Sequence, residues 1–106
     1  MTELEKKIER AQLYLIYQDL LTEKQKHYLE LYLLEDYSLG EIASSESISR
    51  NAVFDTLKKV EKALDTYEEK LNWYKKDQKL NLLLDEVAKY TTKDGLDIIN
   101  QIKEME

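Results

Sequence analysis

The 106-residue chain has no cysteine, no proline, two glycines and a single histidine, His27. Without thiols there is no disulfide framework, no cysteine nucleophile and no thiolate metal site. One histidine leaves no His-based zinc cluster, and the chain offers no Ser-His-Asp triad. No apolar run approaches the ~20 residues that a membrane-spanning helix needs. The opening stretch MTELEKKIER lacks the apolar segment of a secretory signal. These absences predict a cytoplasmic protein with no membrane insertion, no catalytic residues, no metal and no cofactor.

The residues that are present favour helix. Hydrophobic residues make up 42% and charged residues 36%, with Leu, Glu, Lys and Asp prominent and helix breakers nearly absent, so an all-α fold is expected. A chain of this length supports one small domain rather than two independent cores. Sixteen Lys and Arg stand against twenty-two Asp and Glu, a net charge of −6 with a pI near 4.9. The charge is unevenly spread. Between Ser38 and Ala63 four basic residues (Arg50, Lys58, Lys59, Lys62) balance four acidic ones (Glu41, Glu46, Asp55, Glu61), while each flank carries −3. Overall the chain repels phosphate backbones, so nucleic-acid binding would require a local patch or a partner.

Periodicity and capping signals divide the chain into helices. Leu4, Ile8, Ala11 and Leu15, with Tyr14, Tyr17 and Leu21 beside them, predict an amphipathic helix over residues 2–21. Thr22 and Gln25 form a capping box that opens a second helix carrying Tyr28, Leu29, Leu31, Tyr32, Leu33 and Leu34. Ser38 and Glu41 repeat that signal for a short third helix with Leu39, Ile42 and Ala43 facing inward. Ser44 to Ser47 then read as a turn. Ser49 can cap again, and Val53, Leu57, Val60, Leu64, Tyr67, Leu71 and Tyr74 recur at alternating four and three. That seam predicts one unbroken helix from about Arg50 to beyond Tyr74, which the lack of proline permits. Leu80, Leu83, Leu84, Val87 and Ala88 mark another helix, and Leu96, Ile99 and Ile102 a last one. The expected organisation is a single all-α domain over residues 1–106: an N-terminal helix (1–21), a helix-turn-helix core (22–63), and a helical extension for assembly (64–106).

In the helix-turn-helix reading, the long helix presents its first turns to a nucleic-acid groove. Arg50 suits guanine edges or phosphate, and Asn51 suits adenine. Asp55 shares that stretch, and Lys58, Lys59 and Lys62 suit phosphates. The same residues would equally serve as the solvated face of a long helix.

The blocks Thr22-Glu23-Lys24-Gln25, Tyr28-Leu29-Glu30-Leu31-Tyr32, Asp36-Tyr37-Ser38-Leu39-Gly40-Glu41-Ile42-Ala43 and Ser49-Arg50-Asn51-Ala52-Val53-Phe54-Asp55 together resemble the YlxM family of small helix-turn-helix proteins. The likeness continues through Lys59-Val60-Glu61-Lys62 and Tyr67-Glu68-Glu69-Lys70-Leu71. The core is also similar, more loosely, to the promoter −35-reading region (region 4) of sigma factors. The family resemblance implies a regulatory or accessory role in the signal recognition particle pathway, with the particle's GTPase or its RNA as partner. By position, Arg50, Asn51, Asp55 and Lys58 match the family's recognition-helix residues. Two positions depart from the usual turn. Ser47 stands where glycine normally takes a left-handed conformation, at an expected cost of about 1–2 kcal/mol. Glu46 stands where an apolar residue more often packs.

The seam requires a covering surface. Terminal helices of the same chain could supply it, but its length favours a homodimer through Leu64, Tyr67, Leu71, Trp73 and Tyr74. The eight tyrosines invite a stacking argument for RNA, yet their helical spacing fits core and interface better. Three functions remain open at this stage: an accessory protein of the signal recognition particle pathway, a sequence-specific regulator of duplex DNA, and a structural coiled-coil adaptor.

Overall fold

A computed structural model describes residues 2–105. Six α-helices and no strands occur among them: α1 (Glu3–Tyr17), α2 (Glu23–Leu29), α3 (Leu39–Glu46), α4 (Arg50–Leu71), α5 (Trp73–Ala88) and α6 (Lys93–Glu104). The fold is all-α, with a helix-turn-helix formed by α3 and α4. A 3-10 turn (Gln18–Leu20) follows α1 and a π turn (Glu30–Leu34) follows α2.

The helix starts follow the local chemistry. Thr22 Oγ1 accepts from the Gln25 backbone N–H at 3.2 Å, and Gln25 Oε1 accepts from the Thr22 N–H at 2.9 Å. Ser38 and Glu41 make the same reciprocal pair at 3.0 and 3.1 Å. Ser49 Oγ accepts from the Ala52 N–H at 3.0 Å. Each cap satisfies donors that the first helical turn leaves without a partner.

The chain divides into two compact units, the boundary falling between Asn72 and Trp73. In the first unit α4 packs against α1, α2 and α3. Its core is Leu13, Tyr14, Tyr17, Leu21, Tyr28, Leu29, Ile42, Val53, Leu57, Val60 and Leu64. The inward side of α1 is therefore not the one its Leu4–Ile8–Ala11–Leu15 repeat suggests. Leu13, Tyr14 and Tyr17 are buried, while Leu4, Ile8 and Leu15 stay 68%, 50% and 55% exposed. The tyrosines remove more apolar area from water, and their hydroxyls find partners at the core's edge. Tyr14 donates to Glu30 at 2.5 Å and Tyr17 to Glu68 at 2.6 Å.

The seam of α4 is also shorter than its heptads imply. The helix stops at Leu71, where Asn72 takes a left-handed conformation (φ 55°) and its N–H bonds the Glu68 carbonyl at 2.8 Å. Asparagine enters that region at low cost, so the chain turns there without proline or glycine. Trp73 and Tyr74 consequently begin α5 rather than prolong α4. At the other break, α3 runs through Ser44 and Ser45 to Glu46, and the turn is confined to Ser47 and Ile48.

The second unit is the pair α5 and α6, with Leu84 and Ile99 buried. Leu80, Leu83, Val87 and Leu96, which belong to the apolar patterns that mark these helices, remain exposed. Two helices alone have little interior to offer. Gly95 lies in the first turn of α6, where an added Cβ would stand 1.8 Å from Thr91 Oγ1. That close approach accounts for one of the two glycines.

Candidate nucleic-acid interface

The reading head is built by the α3–α4 corner. Ser47 adopts φ 57° and ψ 41°, the left-handed conformation expected for the glycine position. The Ile48 N–H reaches back to the Ala43 carbonyl at 3.1 Å, closing α3 as a glycine-capped helix would close. Glu46 is not left without a role by the missing apolar contact. Its Oε1 accepts from His27 Nε2 at 2.6 Å, so a polar bond joins α2 to the end of α3.

Beyond the turn, Ser49 caps α4 and Arg50 is its first helical residue. Val53, Leu57, Val60 and Leu64 point into the core. At about 100° per residue, Asn51, Asp55, Lys58 and Lys62 then share the opposite, solvent-facing side. Lys59 lies on one shoulder of that side and Arg50 toward the other. All six predicted nucleic-acid residues are exposed. Arg50, Lys59 and Lys62 make no ion pair among the described residues. The Lys58 ammonium sits 5.3 Å from the centre of the half-exposed Phe54 ring, a cation–π contact one turn along the helix.

Two depressions flank this face. One, of about 170 Å³, is lined by Tyr32, Leu39, Phe54, Leu57, Lys58 and Glu61. The other, of about 360 Å³, lies between α1 and α4 and adds Arg10 to the α4 side chains. Arg10 grips Asp65 through both terminal nitrogens. The Asp65 hydrogen bond and charge raise the Arg10 pKa above its ordinary value, against the opposing effect of burial. Sequence reasoning missed Arg10, because its partner lies 55 positions away and no spacing rule links them.

The residues assigned to a dimer interface differ in burial. Leu64 is fully buried within one chain. Tyr67 is half-buried, with its ring 5.9 Å from that of Tyr17 and its hydroxyl donating to the Leu20 carbonyl at 3.3 Å. Leu71 and Tyr74 retain partial exposure, and Trp73 is exposed.

The match to a family of helix-turn-helix proteins spans almost all of this architecture. A family model, UPF0122, described as "Putative helix-turn-helix protein, YlxM / p13 like", matches residues 4–105. The chain belongs to the UPF0122 family. A UPF0122 protein of Geobacillus sp. (strain WCH70) is 42% identical, over 97% of this chain and 99% of its own length. One of Oceanobacillus iheyensis is 50% identical over 72% of each chain. One of Listeria innocua is 47% identical over 83% of this chain and 79% of its own. The UPF0122 match thus takes in both units, from α1 to the end of α6. No helix among the described residues is long and apolar enough to cross a membrane.

Proposed function

We propose that this UPF0122 chain is a non-enzymatic accessory or regulatory protein of the signal recognition particle pathway, and that it contacts the particle's RNA through α4. The pathway comes from the family resemblance. The contact rests on one observation: Arg50, Lys59 and Lys62 are exposed without ion pairs on a helix whose start is presented by a helix-turn-helix corner. Such cations lose little on meeting phosphate, since no intramolecular partner has to be displaced. Pull-down with the particle GTPase, its RNA and the assembled particle tests the reading. Retention of none of the three rejects it.

A second reading is a sequence-specific DNA-binding regulator acting from the cytoplasm. The left-handed Ser47 and the Ser49 cap favour it, because they give the corner the form that helix-turn-helix readers use. It calls for salt-dependent duplex binding that weakens on Arg50→Ala. Selection from random duplex pools that enriches no motif rejects it.

In either case the working form is proposed to be a homodimer. Leu4, Ile8 and Leu15 of α1 are exposed apolar residues of the first unit that a second copy would cover. Sedimentation at micromolar concentration should give a mass near twice 12.6 kDa, and a stable monomer counts against the dimer.

A further inference from the structure

We propose that the groove between α1 and α4 is a phosphate-binding site for a nucleic-acid backbone, in which Arg10 is the central ligand and Asp65 its positioning residue. This deepens the nucleic-acid reading above and rests on it. The groove is lined by Arg10, Lys58, Lys59, Glu61, Lys62 and Asp65, so cations exceed carboxylates by two in an otherwise acidic chain.

The chemistry follows from the Arg10–Asp65 geometry. Arg10 uses one N–H on each terminal nitrogen to hold the two Asp65 oxygens. A guanidinium has five N–H donors, so three remain. Its side chain is 29% exposed, enough to offer donors to the groove while packing fixes the rest. Lys59 and Lys62 make no ion pair and can approach the same oxyanion as point charges. A carboxylate behind an arginine does for phosphate recognition what a carboxylate behind a metal-bound histidine does: it sets the orientation of the donor before the ligand arrives. Lys62 stands twelve residues along α4 from Arg50, about 18 Å at 1.5 Å per residue. The groove would therefore hold a phosphate well away from the bases or edges met by Arg50, and would set register along the strand.

The test uses the full-length protein with two probes, signal recognition particle RNA and random-sequence duplex DNA, titrated across a range of salt. The informative variant is Arg10→Gln with Asp65→Asn, which leaves net charge unchanged and can keep a neutral hydrogen bond between α1 and α4. It should bind about tenfold more weakly. The slope of log affinity against log salt should fall by about 0.9 on the duplex, the loss of one phosphate contact, and should fall on the RNA as well. Thermal melting confirms that the variant is folded. Should it fail to fold, Arg10→Lys retains the ion pair but lacks the fork, and must lose affinity several-fold with its slope preserved. Wild-type affinity and slope in the folded variants would overturn the groove. If Arg50→Ala still weakened binding, the proposed function would stand without it. Wild-type protein that binds neither probe overturns the groove and the nucleic-acid reading together.

Discussion

His27 Nε2 donates to Glu46 Oε1 across 2.6 Å, and this bond replaces the apolar contact usual beneath a helix-turn-helix corner. Both side chains keep some exposure, so the bond forms at the rim of the core rather than within it. A partly screened pair of this kind contributes about 0–1 kcal/mol. Glu46→Ala and His27→Ala should each lower stability by about that amount. Chemical denaturation of both single variants and the double variant should show non-additivity. Strict additivity would mean that the bond does not stabilise the corner.

Ser47 holds a left-handed conformation that glycine holds more cheaply. Ser47→Gly should raise the stability of the first unit by about 1 kcal/mol, the steric cost recovered less the extra chain entropy. Its folded structure should be unchanged. A lower melting temperature would show that the serine side chain stabilises the turn in a way its geometry does not reveal.

The two sides of α1 should respond oppositely to substitution. Leu13→Ala removes a buried side chain and should cost about 2–4 kcal/mol of stability. Ile8→Glu alters an exposed position and should leave the melting temperature of dilute protein nearly unchanged. If α1 meets a second copy, Ile8→Glu should also move the sedimentation mass toward 12.6 kDa. A dimer that survives Ile8→Glu intact would place the contact elsewhere.

Tyr14 carries a pH signature. Burial, then its hydrogen bond to Glu30 and that carboxylate's charge, push the phenol above its ordinary pKa of about 10. Folding therefore favours the protonated form. The resulting stabilisation is complete below pH ~10 and is lost as the pH rises further, through the folded-state value. Tyr14→Phe should be slightly less stable near neutrality and should show a shallower alkaline decline in urea midpoint. Parallel alkaline limbs for the two proteins would contradict this coupling.

The sequence by itself determined the starts of α2, α3 and α4, because each depends on groups three residues apart. Thr22 with Gln25, Ser38 with Glu41, and Ser49 with the Ala52 N–H were all legible locally and are all formed. The left-handed backbone at Ser47 was implied by the family resemblance, which places glycine there, and the exposed face of α4 was set by periodicity against Val53, Leu57 and Val60. Only the tertiary structure decided which side of α1 is inward. The buried side carries Tyr14 and Tyr17, whose contacts, including hydroxyl partners 16 and 51 positions away, exist only in the folded chain. It also decided that the heptad seam stops at Asn72, since periodicity records which residues can be buried and not where a left-handed cap interrupts the helix. The Arg10–Asp65 pair belongs to that second class. Local rules have no term for a contact that exists only once α1 is laid against α4.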